Sequence, residues 1–225
     1  MRVVITGGNR GLGLSLARQY VGRGHDVIVG CRDPRVAPVG IAHALDMGDQ
    51  DSIGRFASAI GDRSVDVLIN NAGIDARAAG APDDERDALH LDGEAFALVL
   101  QVNTIGPMQL VQKLAENLRE VKGKVINISS QVGSFEMAQR IGKDVSYTAS
   151  KAALNMVSVK QAQAFRDSGV TVIAMHPGYL RTDMGGSAAD LDPDDAADTI
   201  VQTIGKLTFE HSGGFYRWDG MVHPW

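Results

Sequence analysis

The stretch R-V-V-I-T-G-G-N-R-G-L-G, Arg2 to Gly13, decides the fold. Its opening residues form a β-branched run with no polar alternation, the mark of a strand buried on both faces. Glycines stand at positions 7, 11 and 13, and Leu12, Leu16, Ala17 and Tyr20 then recur at helical spacing until Gly24 stops the helix. Strand, glycine-rich turn and helix in that order form the first part of a βαβ unit. The glycines let the backbone turn sharply and approach a pyrophosphate, whose charge the helix N-terminus favours. The spacing G-x-x-x-G-x-G differs from the commoner G-x-G-x-x-G, so the expectation rests on the strand before it and the helix after it.

Outward from this turn the same alternation continues. Strands are expected at Asp26–Cys31, Ile41–Leu45, Val65–Asn70, Lys124–Ser129, Val170–Met175 and Gly213–Trp218. Helices are expected at Asp49–Ile60, Asp92–Arg119, Ser146–Asp167 and Asp194–Leu207. Apolar strands alternating with helices predict a parallel sheet of about seven strands covered on both faces, a Rossmann-type three-layer αβα sandwich forming one domain over 1–225. The segment from Asp75 to Glu94 carries six acids after its first residue (Asp83, Asp84, Glu85, Asp87, Asp92, Glu94) against Arg77 and Arg86. It reads either as a solvated insertion or as a loop beside a substrate cleft.

Composition closes off other classes. The 225 residues hold 22 basic and 27 acidic side chains, a net charge of -5 with no basic block, which argues against nucleic-acid binding. The longest uncharged stretch, Ala95 to Gln112, is broken by polar residues, glycine and proline, so no membrane span is expected. Met1 leads directly into the first strand without a leader-like segment. A single cysteine, Cys31, cannot form an internal disulfide and fits a reducing, cytoplasmic setting. The six histidines lack ligand spacing, so no metal is expected.

Two further patterns bear on chemistry. Folds that bind NAD often place an acid at the end of the second strand for the ribose 2′-hydroxyl. Here that position reads Gly30-Cys31-Arg32, with no acid before Asp33. Arg32 and Arg10 could instead clamp a 2′-phosphate, so NADP(H) is expected in preference to NAD(H). Tyr147 and Lys151 are four residues apart and share a helix face. An ammonium beside a phenol favours the phenolate and draws its pKa toward the working range.

The order of T-G-G-N-R-G-L-G, N-N-A-G (Asn70 to Gly73), Asn103, Ser130, Y-T-A-S-K (Tyr147 to Lys151) and P-G (Pro177, Gly178) resembles the short-chain dehydrogenase/reductase family. Within it, K-A-A-L-N-M from Lys151, H-P-G-Y-L-R-T-D-M-G-G from His176 and the ending G-G-F-Y-R-W-D-G-M-V-H-P-W resemble the subgroup of C-factor and sniffer-type carbonyl reductases. The resemblance implies a reversible reduction of a ketone or aldehyde, with Tyr147 as acid/base. Lys151 would lower the Tyr147 pKa and bond the nicotinamide ribose, Ser130 would hold the substrate oxygen, and Asn103 would hold a water linking Lys151 to solvent. The phosphates would lie on Gly7, Asn9, Arg10, Gly11, Leu12 and Gly13, and Arg32 would face the 2′-phosphate. Asp46 and Met47 would line the adenine, Asn71, Ala72 and Gly73 the adenosine side, and Pro177, Gly178, Leu180 and Thr182 the nicotinamide.

Ser129 competes with Ser130, but adjacent strand residues face opposite sides, so only one reaches the cleft. The wide separation of Ser130 and Tyr147 implies an enlarged loop from Gln131 to Val145, and the stretch between Gly178 and the last helix is short. The pocket is therefore expected either to be open or to be closed by the enlarged loop and the C-terminal tail. A different function class, a C-factor-type signalling protein that binds NADP(H) with little turnover, and a non-consuming epimerase or dehydratase are the alternatives. Finally, the 92–119 and 146–167 segments carry more apolar positions than one sheet-facing stripe needs. They predict a homodimer, or a dimer of dimers, through these helices, the alternative being that the enlarged loop or the tail covers them within one chain. Leu98, Val102 and Ile105 are expected on the sheet side. Leu110, Val111, Leu114 and Leu118 are expected to extend the apolar surface, and Leu154 is the candidate for its outer face.

Overall fold

The computed structural model describes residues 1–225 and contains one seven-stranded sheet, all parallel, in the order β3-β2-β1-β4-β5-β6-β7. The strands are β1 (Arg2–Thr6), β2 (Asp26–Cys31), β3 (Ile41–Ala44), β4 (Val67–Asn70), β5 (Lys124–Ile128), β6 (Thr171–His176) and β7 (Phe215–Arg217). The helices are α1 (Gly11–Gly22), α2 (Gln50–Ile60), α3 (Gly93–Leu100), α4 (Gly106–Lys113), α5 (Ala115–Arg119), α6 (Phe135–Ala138), α7 (Val145–Ala164) and α8 (Pro193–Lys206). The doubly wound αβα sandwich expected from the sequence is therefore the observed architecture.

Successive strand residues feed opposite layers. Val3 and Ile5 pack with Leu16, Tyr20, Ile200 and Ile204 of α1 and α8. Val4 packs on the other side with Phe56, Leu110, Leu114 and Leu118 of α2, α4 and α5 or their junctions. Both sets are buried, which is why the strands read as continuous apolar runs. Truncating one of these large side chains to alanine costs about 2–5 kcal/mol.

The long 92–119 helix expected from the sequence is not continuous. A π-helical segment, Gln101–Ile105, joins α3 to α4, and Leu114 breaks the helix before α5. An extra residue in a turn rotates everything beyond it by about 100°. The phase therefore differs from the expected one beyond this segment, while Val102 is buried in the core as expected. Leu110, Val111, Leu114 and Leu118 are buried in the core, whereas Leu98 and Ile105 are 41% and 37% exposed. Leu154 is buried too, and Met156 lies on the outside of α7.

Candidate active site

The strand order reverses between β1 and β4, and the crevice opens at their C-terminal ends, where α/β sheets bind ligands. The two lips of the crevice are tied together. The N–H groups of Asn71 and Ala72 donate to Thr6 Oγ1 at 3.0 and 2.9 Å, and Asn71 Nδ2 donates to Thr6 O at 2.9 Å. Gly7 has φ +68°, and a Cβ on Gly13 would lie 2.2 Å from Gly7 O. Glycine at these positions lets α1 start directly beneath the turn. Arg10 precedes α1 without a side-chain cap, and no acid stands in the first turn, so its N–H groups remain open to an anion.

Asn103 sits in the π-helical segment and is buried. Its Oδ1 accepts from Ile74 N at 2.9 Å, and its Nδ2 donates to Ile74 O at 2.8 Å and Ser150 Oγ at 2.9 Å. The N-N-A-G loop is thereby clamped to α7. A Cβ on Gly73 would meet Asn103 Oδ1 at 3.3 Å and Lys151 Nζ at 3.6 Å, so these three residues converge. Both amide hydrogens of Asn103 are committed, and any water it holds falls to its remaining acceptor positions.

Tyr147 and Lys151 lie on one face of α7, with Lys151 Nζ 5.5 Å from the Tyr147 ring centroid. Lys151 is 3% exposed and donates to Ile128 O at 2.8 Å. Burial draws its pKa down to about 8. Tyr147 departs from expectation: burial pushes its pKa up to about 12, hydrogen bonding with Ser130 opposes this, and Asp75 and Asp144 add to the rise. Desolvation of the phenolate is the largest cause and outweighs the Ser130 hydrogen bond. The two serines divide as the strand geometry requires. Ser129 is buried and donates to Asn155 Oδ1 at 2.6 Å, leaving Ser130 beside Tyr147.

Around the crevice, Asp46 Oδ1 accepts from Gly48 N, and Met47 is buried beside Gly106. Arg32 is exposed at the end of β2 and forms no ion pair. Asp33 is committed to Arg35, accepting at 2.8 and 2.9 Å. Arg10 pairs with Asp183 at 2.9 Å, both largely exposed. Thr182 lies against Gly11, Leu180 is buried, and Gly178 at φ +93° packs beside Leu191 and Trp218. Asn9 is half-buried in the glycine turn, and Pro177 leads out of β6. These residues fit a dinucleotide: the open N–H groups of α1 suit its pyrophosphate. Lys151, buried with one hydrogen bond, has donors left for a ribose hydroxyl.

Sequence reading passed over part of the surroundings. Asp75 lies two residues beyond N-N-A-G, and its carboxylate is 5% exposed. It accepts from Ala78 N at 3.0 Å and from Lys143 Nζ at 3.1 Å. Burial pushes its pKa up, but these two partners together with Arg77 hold it below the usual carboxylate range. An open cleft of about 500 Å³ runs past Lys143, bounded by the segment 75–88, by Asp144 and Val145, and by Met184. Seven of its ten wall residues are charged, so the acidic segment borders a cleft rather than only solvent. The acid pair at 75 and 144 flanking one lysine was the available signal, though nothing in the sequence brings residues so far apart together.

The model of the family described as short chain dehydrogenase matches residues 1–192. The C-signal protein of Myxococcus xanthus is 33% identical over 171 residues, 76% of this chain and 98% of that protein. The NADPH-bound carbonyl reductase from chicken fatty liver superposes with a TM-score of 0.89 at 30% identity, covering 100% of this chain and 98% of the other. Carbonyl reductase Sniffer of D. melanogaster also gives a TM-score of 0.89, at 28% identity, covering 100% and 99% of the two chains. Together with the parallel sheet, the switch-point crevice and the Tyr147–Lys151 face, these matches establish that the chain belongs to the short-chain dehydrogenase family of oxidoreductases, with the C-signal protein and the carbonyl reductases of the Sniffer type among its relatives.

Proposed function

We propose that the protein is an NADPH-dependent reductase of ketones or aldehydes, acting reversibly, with Tyr147, Lys151, Ser130 and Asn103 as its working residues. The observation that carries this reading is the convergence of these four side chains beside the glycine turn at one end of the sheet. A ligand-binding signalling protein has no need of a phenol, a buried ammonium and a hydroxyl gathered at one point, and that favours turnover. The bound dinucleotide supplies the hydride. The Ser130 hydroxyl holds the substrate oxygen, and Tyr147 donates its proton to it. Lys151, on the same face of α7 with its ammonium 5.5 Å from the ring centroid, supplies the positive charge that offsets the phenolate left behind. Asn103 holds the loop of Ile74 against α7 and so keeps Gly73 and Lys151 in register.

NADPH is favoured by the free guanidinium of Arg32, by Arg10 beside the turn, and by the absence of an uncommitted acid at the end of β2. The charged walls of the cleft suit a small polar carbonyl substrate. Asp46, Met47, Asn71, Ala72 and the segment from Pro177 to Thr182 would line the remainder of the dinucleotide. The whole chain, 1–225, serves as one dinucleotide-binding unit. Leu98, Ile105 and Met156, exposed on the outside of α3, the π-helical segment and α7, would pair with their symmetry mates in a twofold dimer. No helix is long and apolar enough to cross a membrane.

Tyr147→Phe tests the core of this reading. The variant should bind NADPH as the unaltered protein does, followed by fluorescence of the reduced nicotinamide, yet lose at least about 1000-fold in turnover of a carbonyl panel, within the range of acid/base contributions. Near-normal turnover by the variant would overturn the assignment.

A further inference from the structure

Two ammonium groups, not one, flank the Tyr147 ring. Lys143 Nζ lies 5.3 Å from its centroid, against 5.5 Å for Lys151. Lys151 approaches from the buried interior, whereas Lys143 forms part of the cleft wall and keeps 30% of its side chain exposed. Lys143 is held in place by two carboxylates from different parts of the chain: Asp75 at 3.1 Å and Asp144 at 3.5 Å, whose side chains are only 5% and 8% exposed. Asp144 also caps α7 by accepting from Tyr147 N at 2.8 Å, so the lysine's grip reaches the backbone of Tyr147 itself.

The groups facing Tyr147 can be counted by element. Asp75 comes from the loop after β4, Lys143 and Asp144 from the end of the enlarged loop, Lys151 from α7, and the uncharged Ser130 hydroxyl from the end of β5. Two acids and two bases balance. Without Lys143, two nearly buried carboxylates would face the phenol with only Lys151 to offset them, and forming the phenolate would place a third negative charge among them.

We propose that Lys143 is a positioning residue for the Tyr147 chemistry: clamped between Asp75 and Asp144, it offsets their charge on the cleft side and makes the phenolate accessible during the reaction. The proposal rests on the reading of Tyr147 as the acid/base. A neighbouring charge under partial solvent screening moves a pKa by about one unit.

The test is the pH dependence of alcohol oxidation and carbonyl reduction by the full chain with NADP(H), alongside melting temperatures. Lys143→Met should move the pH of half-maximal oxidation upward by about one unit and lower the rate near neutrality about tenfold. Lys143→Arg should stay within about threefold of the unaltered protein, because the charge is kept. Asp75→Asn, which keeps an acceptor for Ala78 N, should move the midpoint downward. A Lys143→Met variant that melts earlier and loses rate equally at every pH, with its midpoint in place, would overturn the proposal. So would midpoints that move in the same direction in Lys143→Met and Asp75→Asn. If Lys143→Met does not fold, the downward shift in Asp75→Asn remains required, and its absence overturns the proposal. Tyr147→Phe in the same assay separates the two readings: an active phenylalanine variant refutes the role of Tyr147, whereas an inactive one with an unmoved Lys143→Met midpoint refutes only the role of Lys143.

Discussion

Acid should weaken this protein through His176 before it reaches the carboxylates. His176 ends β6, immediately before the Pro177-Gly178 turn that would hold the nicotinamide, and is 5% exposed. Its ring meets Trp218 edge-on at 5.8 Å and His223 at 5.4 Å, and its Nδ1 has no partner. Burial, with smaller contributions from His223 and Arg217, draws its pKa from 6.5 down to about 3. The unfolded chain therefore binds a proton between those two values that the folded chain refuses. Stability is lost as pH falls through this window. Going from pH 7.5 to pH 5.0 spans most of the first 1.5 units below the unfolded value, a loss of about 2 kcal/mol. Stopping at pH 5.0 keeps the contribution of Asp75, whose lowered pKa matters only further down, largely out of the measurement. The assay is urea unfolding at both pH values and matched protein concentration, comparing the unaltered chain with His176→Leu, an apolar replacement of similar size. With a slope of roughly 2.5 kcal/mol per molar urea, the midpoint of the unaltered chain should drop about 0.8 M more than that of the variant. Equal drops in the two proteins would show that His176 is not held neutral by its surroundings, and the argument from burial would fail.

Two other substitutions probe the cofactor and the assembly. Arg32→Asp should reverse the preference for NADPH over NADH in equilibrium titrations, since it removes one partner of the 2′-phosphate and repels it; comparable affinities of the unaltered protein for the two dinucleotides would refute the role of Arg32. Met156→Glu should convert a dimer to a species near the chain mass of 23.9 kDa in light scattering, because it places a charge on the outer apolar face of α7. A monomeric unaltered protein at micromolar concentration would rule out the dimer.

Much of this molecule is written in local sequence. The β-branched runs before Thr6, Asn70 and His176 need no partner to be read as buried strands, since a strand covered on both faces has no polar side to show. The glycines at 7, 11 and 13 are equally local: Gly13 is required because a Cβ there would meet Gly7 O at 2.2 Å, within the same turn. The helix face shared by Tyr147 and Lys151 follows from their spacing, and the choice of Ser130 over Ser129 from strand alternation and the family's pattern.

What the tertiary structure alone decided concerns phase, solvation and distant pairing. The π-helical turn at Gln101–Ile105 shifted the phase of the helix that follows, where Leu110 and Leu114 are buried, while Leu98 before the turn and Ile105 at its end are exposed. No periodic reading of 92–119 anticipates an added residue whose stabilising contacts, those of Asn103 with Ile74 and Ser150, come from elsewhere in the chain. The rise in the Tyr147 pKa is a matter of burial, which depends on every segment packed around the ring and not on the lysine four residues away. Asp75 and Lys143 meet across 68 positions, and only the closure of two loops over the end of the sheet brings them together. Backbone conformation and side-chain alternation act between near neighbours and leave their mark in local sequence. Desolvation and ion pairing act through space, among residues that meet only after the chain has folded.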